Sequence, residues 1–307
     1  MTAKSFTGVL TAIATPLGGA DLRVDERALR AAVERQIEAG VTGIVPCGTT
    51  GEFYALSEAE RRLVVECTVE TVDGRVDVVP QTGALSTGQA VAFSRHAQQS
   101  GAAAVLALPP FFMPLSRDGL LRYYSALVEA VDVPVIFYYN PGATGLPLAA
   151  DEIEELCSAV GIRHVKYTSP DASLMVELLL DYGDRLELLP AWDHLTLTAF
   201  LSGARSSIWG AAAVVPELCV ELFDACSRDD LRALLEAWRR AAPLFTAFGT
   251  LGYVPAVKAA SALLGHPLGP PCPPAAPLDP QHHPRLAALL RNAGYDVAEL
   301  EAAASAT

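Results

Sequence analysis

The sequence of 307 residues has little positive charge and no long uninterrupted apolar run. Its 22 Lys and Arg residues are outnumbered by 35 Asp and Glu residues, which gives a net charge of −13. Nucleic acids and anionic membrane surfaces are bound through clusters of Lys and Arg, so we expect neither as a partner. The uncharged runs near residues 97–116 and 133–150 are broken by Pro and Gly, and we expect no membrane-spanning helix.

Cysteines are few and scattered along the chain. None of the six forms a C-x-x-C pair, and no His cluster lies beside them, so we expect no metal site. Free thiols in a reducing compartment are the simpler interpretation, and we expect a cytoplasmic protein. Residues 6–14 resemble the apolar part of a signal peptide. They lead directly into a repeating strand–helix pattern, however, which favours a first β-strand.

Short apolar runs alternate with amphipathic stretches of helical length, and apolar residues make up 51% of the chain. The runs predicted as strands are residues 8–14, 43–45, 76–81, 103–108, 135–138, 162–166, 186–189 and 206–209. The stretches predicted as helices are residues 25–39, 57–72, 87–100, 117–130, 149–160, 171–182, 193–202 and one that begins at residue 216. Ser57 and Glu60 form the pattern of a capping box, which indicates a helix start.

Eight strand–helix units predict an α/β fold, a (β/α)8 TIM barrel. A doubly wound sheet is the alternative, but the first strand is followed by Thr15-Pro16-Leu17-Gly18-Gly19, which is not the dinucleotide-binding pattern G-x-G-x-x-G. We predict a catalytic barrel over residues 1–224 and a C-terminal helical region over residues 225–307. Helices at 229–244, 254–264 and 284–293 are expected to pack on the barrel as an extension.

Functional groups of such barrels come from the carboxyl ends of the strands. The second strand ends in the run Gly48-Thr49-Thr50-Gly51-Glu52. A loop that places hydroxyls and backbone N–H groups between glycines suits a small anion such as a carboxylate or phosphate. An ordinary glycine-containing turn is the alternative interpretation.

Two further candidates lie at the ends of neighbouring strands. Lys166 ends the sixth strand, where burial disfavours a charged ammonium and leaves a neutral amine able to attack a ketone and form a Schiff base. A lysine that extends along apolar surface to solvent is the alternative. Tyr138 ends the fifth strand, and its phenol can exchange a proton with a substrate oxygen. An aromatic residue that only packs at the rim is the alternative.

Together these motifs resemble the dihydrodipicolinate synthase / N-acetylneuraminate lyase family of Schiff-base-forming pyruvate lyases. The resemblance covers the chain from Phe6 to Arg291. It is carried by the threonine run at 48–52, the Tyr-x-x-Pro-x-x-Thr-Gly run at 138–145, Lys166, and shorter matches at 82–84, 109–112 and 255–258.

The resemblance implies a role for each matching residue. Lys166 would form the imine with the ketone of pyruvate, and Tyr138 would move protons during bond making or breaking. Thr49 and Thr50 would hold the pyruvate carboxylate and pass protons to the tyrosine. No metal or organic cofactor is then needed, because the imine itself withdraws electrons. A homo-oligomer, commonly a tetramer built from dimers, is also implied.

Four further residues belong to the predicted site. The resemblance places Gly48 in the carboxylate loop and the backbone carbonyl of Ile208 at the site. Thr168 is similar to a threonine that lies near the sugar chain in sialate lyases. Asp193 follows the seventh strand, where those lyases bind hydroxyl groups, although an N-cap of the seventh helix is an equal alternative.

Two departures argue against lysine biosynthesis as the role. Ala143 occupies the position at which dihydrodipicolinate synthases carry an arginine for the carboxylate of aspartate semialdehyde. Phe112 occupies the position of a second tyrosine that completes the proton relay across the dimer interface. Neither side chain can supply the missing group.

The sequence therefore predicts a pyruvate-dependent class I lyase or aldolase. It would join or cleave pyruvate and an aldehyde, with sugar-derived 2-keto-3-deoxy acids as candidate substrates, or it would act as a hydro-lyase that dehydrates such an acid. One alternative is a 4-hydroxy-tetrahydrodipicolinate synthase that condenses pyruvate with aspartate semialdehyde. The other alternative is a barrel that binds pyruvate without turnover.

Overall fold

Eight short parallel strands form the centre of the molecule. A computed structural model describes residues 4–113 and 115–297. The barrel strands are β1 (Gly8–Ala12), β2 (Gly43–Val45), β3 (Asp77–Val78), β4 (Val105–Ala107), β5 (Val135–Tyr139), β6 (His164–Tyr167), β7 (Glu187–Pro190) and β8 (Ser206–Trp209). Nearly all their side chains are buried, as expected for parallel strands that are covered on both faces.

The strands close into a ring. Hydrogen-bonded ladders run in the order β8-β1-β2-β3 and in the order β4-β5-β6-β7. Gln81 pairs with Leu106 in a parallel bridge that joins β3 to β4. The hydroxyl of Ser207 donates to the carbonyl of Pro190 at 2.6 Å and joins β8 to β7. The predicted TIM barrel is thereby confirmed over the doubly wound sheet.

Eight helices follow the strands in turn. They are α1 (Glu26–Glu38), α2 (Glu58–Val72), α3 (Thr87–Ser100), α4 (Arg117–Val128), α5 (Ala150–Val160), α6 (Ala172–Asp181), α7 (Thr196–Leu201) and α8 (Pro216–Ser227). The capping box of Ser57 and Glu60 is present at the start of α2. An antiparallel hairpin, Leu17–Gly18 with Arg23–Val24, was not expected from the sequence.

Three further helices form the tail: α9 (Leu231–Thr250), α10 (Tyr253–Leu263) and α11 (His283–Asn292). Helix α9 continues through Pro243 instead of ending beside it, because buried residues on both sides, including Leu234 and Phe248, hold the helix against the barrel. Within the described residues, no helix has both the length and the apolar character needed to cross a bilayer.

The proposed boundary at residue 224 falls inside α8, which continues to Ser227. The division into two domains therefore stays a prediction. Residues 298–307 of the predicted helical region lie outside the described residues, as do residues 1–3 and Pro114 of the predicted barrel.

A buried ion pair connects the tail to the loop that follows β2. The ammonium of Lys258 on α10 lies 2.6 Å from the carboxylate of Glu52, and both side chains are almost completely buried. The second carboxylate oxygen of Glu52 accepts the backbone N–H of Cys272, and Lys258 also donates to the carbonyl of Pro270. Burial lowers the pKa of Lys258, against the opposing effect of the Glu52 carboxylate.

Removing one partner of this pair is expected to destabilise the protein strongly. Glu52→Gln leaves the Lys258 ammonium buried without a counter-charge, so the free energy of unfolding should fall by about 3–5 kcal/mol in urea titrations. The double variant, with Glu52→Gln and Lys258→Met, should recover part of the lost unfolding free energy. Glu70→Gln, which breaks an exposed pair with Arg30, is the control and should cost less than about 1 kcal/mol. Equal losses of unfolding free energy in Glu52→Gln and Glu70→Gln would contradict this account.

Candidate active site

A cavity of about 380 Å³ lies at the carboxyl ends of the barrel strands. Seven of the eight residues predicted from the sequence line it: Thr49, Thr50, Tyr138, Lys166, Thr168, Asp193 and Ile208. Gly48 does not line it. The barrel thus brings together side chains that lie up to 159 residues apart in the sequence, from Thr49 to Ile208.

Lys166 and Tyr138 are neighbours across two adjacent strands. The register of β5 and β6 pairs the two residues, so both side chains point to the same face of the sheet. The Lys166 Nζ lies 4.0 Å from the centroid of the Tyr138 ring. Lys166 is buried, and within the described residues it forms no ion pair with a carboxylate. Its amine is therefore left free to react with a bound carbonyl group.

The Tyr138 hydroxyl connects this amine to the threonine loop. It lies 3.2 Å from the Thr49 Oγ1, within hydrogen-bond distance. Burial raises the pKa of the Tyr138 phenol, but the ammonium form of Lys166 and hydrogen bonds from Thr49, Lys166 and Thr168 outweigh it, so the net pKa is lowered. A phenol with a lowered pKa exchanges protons more readily near neutral pH.

The conformation of the threonine loop differs in detail from the sequence interpretation. The left-handed backbone positions that bound it belong to Cys47 and Glu52, not to its glycines. Gly51 is required for space, because a Cβ there would lie 3.0 Å from the carbonyl of Ile13, whereas a Cβ at Gly48 would meet nothing within 4 Å. One glycine thus permits close packing that keeps the two threonines at the cavity.

Asp193 is held by a residue that the sequence analysis missed. The hydroxyl of Tyr253, at the start of α10, donates a hydrogen bond to the Asp193 carboxylate, and both residues line the cavity. Asp193 forms no capping hydrogen bond, so the N-cap alternative is not observed. Tyr253 lies two residues before the 255–258 motif, and this closeness to a family motif could have identified it as a site residue.

The pKa values of Asp193 and Tyr253 are both shifted. Burial raises the pKa of Asp193 to about 6, although Tyr253, Lys166 and the Ala211 backbone oppose the shift. Burial and the adjacent carboxylate raise the pKa of Tyr253 well above its usual value. Tyr253 therefore stays a donor, and Asp193 changes charge in the weakly acidic range.

This shift predicts a pH-dependent stability difference between the wild type and Asp193→Asn. A carboxyl group whose pKa rises on folding, from 3.8 to about 6, stabilises the fold below its unfolded pKa and loses that contribution as the pH rises through the folded value. From about pH 4 to pH 7, the unfolding free energy of the wild type should fall by about 3 kcal/mol relative to the variant. Thermal unfolding across this range measures it, and parallel pH curves would contradict the shift.

The two departures, Ala143 and Phe112, lie away from this cavity. Ala143 belongs to a short helical turn, Pro141–Thr144, and is exposed, whereas Asn140 just before it lines the cavity. Phe112 is 82% exposed on the loop after β4. In the described part of the chain, no arginine lines the cavity.

A parallel barrel that holds an amine, a phenol and two hydroxyls at its mouth has the groups that Schiff-base lyases need. The chain belongs to the dihydrodipicolinate synthetase family, whose sequence profile matches residues 5–293. This confirms the predicted family and the prediction of a pyruvate-dependent lyase rather than a barrel without turnover.

Individual relatives agree in fold and sequence. The chain is 37% identical over 271 residues to a 4-hydroxy-tetrahydrodipicolinate synthase of Methanopyrus kandleri, which covers 87% of this chain and 89% of the relative. The crystal structure of the chloride-inhibited dihydrodipicolinate synthase of Acinetobacter baumannii with pyruvate has a TM-score of 0.90 at 28% identity. The structural alignment covers 95% of this chain and 100% of the Acinetobacter chain. YagE of E. coli K12, a prophage protein of the family solved with pyruvate, also has a TM-score of 0.90, at 25% identity, with coverage of 95% and 100%.

Proposed function

We propose that this lyase joins or cleaves pyruvate and an aldehyde through an imine on Lys166. The observation that carries the proposal is the buried Lys166 amine, which contacts the Tyr138 ring and pairs with no carboxylate among the described residues. The pyruvate in two related crystal structures supports the choice of ketone.

The reaction begins when the Lys166 amine attacks the ketone carbon of pyruvate. Loss of water gives the iminium, which withdraws electrons from the adjacent methyl carbon and allows it to lose a proton. The resulting enamine attacks the aldehyde carbon, and water then releases the product and restores the lysine. In the cleavage direction the same steps run in reverse. The imine is the electron sink, so we propose no metal or organic cofactor.

Tyr138 and Thr49 are proposed to move the protons in these steps. Their oxygens are 3.2 Å apart, so a proton can pass between the phenol and the loop without a large movement. The hydroxyls and backbone N–H groups of Thr49 and Thr50, with the backbone at Gly48, are proposed to hold the pyruvate carboxylate. This orients the ketone toward Lys166.

The aldehyde is proposed to bind beside Thr168, Asp193 and Ile208, which line the same cavity. Because Tyr253 already donates to Asp193, the remaining carboxylate oxygen is the acceptor left for a substrate hydroxyl. A sugar-derived aldehyde, with hydroxyl donors, suits this wall.

The second candidate is 4-hydroxy-tetrahydrodipicolinate synthase, which is favoured by the names of the curated relatives. Its aldehyde, aspartate semialdehyde, carries a carboxylate that Ala143 cannot bind and that no arginine in the cavity wall replaces. We therefore place this candidate second. Rates with pyruvate and either aspartate semialdehyde or a neutral hydroxyaldehyde separate the two: a much higher rate with aspartate semialdehyde would reverse the order.

We also propose a cytoplasmic homo-oligomer, either a dimer or a tetramer built from dimers. Phe112 and Met113 expose 82% and 66% of their surface on one loop, and apolar side chains so exposed suit a subunit interface.

The direct test is reductive trapping. Incubation with pyruvate and borohydride should add one reduced pyruvate adduct to the chain, and peptide mass spectrometry should find it on Lys166. The sequence has only three lysines, Lys4, Lys166 and Lys258, so the assignment is simple. No adduct, or an adduct on another lysine, would refute the proposed mechanism.

A further inference from the structure

A second cavity, of about 490 Å³, lies outside the barrel between α1 and the segment that follows α10. On the helix side, Arg27, Ala31 and Arg35 follow one another at four-residue spacing and therefore share one face. The alanine between the two arginines leaves room between their side chains. Gly265 to Leu268 form the facing wall. The volume is in the range of small-molecule sites.

The cavity concentrates positive charge and hydrogen-bond donors in an acidic protein. Within the described residues Arg27 forms no ion pair, and the one ion pair of Arg35 is a 3.6 Å contact with Glu217; Arg35 also donates to two backbone carbonyls. His266 adds an imidazole. The acidic residue in the wall, Asp25, is occupied as the N-cap of α1.

Gln36 provides a second and independent observation. Its side chain is buried and lines the cavity, and its carbonyl oxygen accepts the hydroxyl of Thr11 at 2.8 Å. This bond fixes the orientation of the amide. Its NH2 group forms no hydrogen bond among the described residues, which leaves a donor available for a ligand.

We propose that this cavity binds a small oxyanion, a carboxylate or a phosphate, through Arg27, Arg35, His266 and the Gln36 amide. Guanidinium groups bind carboxylates and phosphates alike through paired hydrogen bonds to two oxygens. None of these residues lines the active cavity.

The site is connected to the barrel mouth by the buried turn Ala211–Ala213. At one end, Arg35 donates to the carbonyls of Ala213 and Val214, the latter at 2.8 Å. At the other end, a Cβ on Gly210 would lie 2.5 Å from the Tyr253 hydroxyl and 2.8 Å from the Thr50 hydroxyl. An oxyanion that draws Arg35 away from these carbonyls would displace a closely packed turn against the catalytic loop. We therefore infer that binding weakens the apparent affinity for pyruvate, a coupling that depends on the function proposed above.

Calorimetry on the full-length protein tests the site, with malonate and inorganic phosphate as separate probes, glycerol as the neutral control and chloride at matched ionic strength. At least one probe is expected to bind saturably with a Kd below about 10 mM. The binding should persist when pyruvate saturates the active cavity. Arg27→Ala, an exposed substitution, should raise its Kd about tenfold. Arg232→Ala, an exposed arginine on α9, should leave the Kd unchanged. Absence of binding, or binding that Arg27→Ala does not weaken, would overturn the site.

Kinetics then test the coupling. A probe concentration that saturates the wild-type site should raise its pyruvate KM about fivefold, and in Arg27→Ala the same rise should need an about tenfold higher probe concentration. Binding without a change in KM would overturn the coupling and keep the site. Loss of the borohydride adduct on Lys166 would instead refute the proposed function, and the calorimetric result would be unaffected.

Discussion

Lys166→Ala is expected to abolish turnover, with a loss of about 10³-fold or more, and to eliminate the trapped pyruvate adduct. The reason is that neither of the other two lysines can take over the imine. Lys258 is locked in its buried pair with Glu52, and Lys4 pairs with Asp77 at the surface. The substitution removes a buried side chain and leaves the hydrogen bond from Tyr253 to Asp193 in place, so circular dichroism should show a retained fold.

Lys4→Ala is the matched control for this experiment. It removes one of the other two lysines at an exposed position and should keep both the adduct and the rate. Turnover by Lys166→Ala within tenfold of the wild type would show that the chemistry does not pass through an imine at this position.

Tyr138→Phe is expected to lower turnover by about 10²–10⁴-fold. The substitution keeps the ring against the Lys166 ammonium but removes the hydroxyl that contacts Thr49. Formation of the pyruvate adduct should persist at a reduced rate, and exchange of the pyruvate methyl protons with deuterated water, followed by NMR, should slow by a similar factor. The defect would then lie in proton transfer rather than in ketone binding.

The adjacent residue provides a close control. Tyr139 projects to the other side of β5, where its hydroxyl donates to the carbonyl of Leu148. Tyr139→Phe should therefore remain near the wild-type rate. Similar losses in the two variants would indicate a general effect on β5 and would contradict a proton-transfer role for Tyr138.

Much of the fold could be predicted from the sequence because strand and helix periods alternate clearly along the chain. The exceptions have local causes. Strand β3 is limited to Asp77–Val78 instead of residues 76–81, in part because Pro80 has no N–H to donate to a ladder. Helix α9 extends to Thr250 instead of ending near Pro243, because packing on its buried face outweighs the hydrogen bond that the proline cannot donate.

The site could be predicted only in part. Strand ends predict that Lys166 and Tyr138 lie near one another, because the carboxyl ends of neighbouring parallel strands meet, and the family resemblance supplies their roles. The contact of Tyr253 with Asp193 could not be predicted, since it depends on how the tail folds back over the barrel, and no local period encodes that distance. The exposure of Phe112 is likewise a property of the folded loop, not of its composition.

The buried pair of Glu52 and Lys258 has a consequence for recombination between relatives. A crossover at residue 224 that joined this barrel to a foreign tail without a lysine at the matching position would leave a carboxylate stranded beneath the threonine loop. It would also separate Asp193 from its tyrosine. Viable chimeras must therefore keep a lysine and a tyrosine at the two matching positions of the tail.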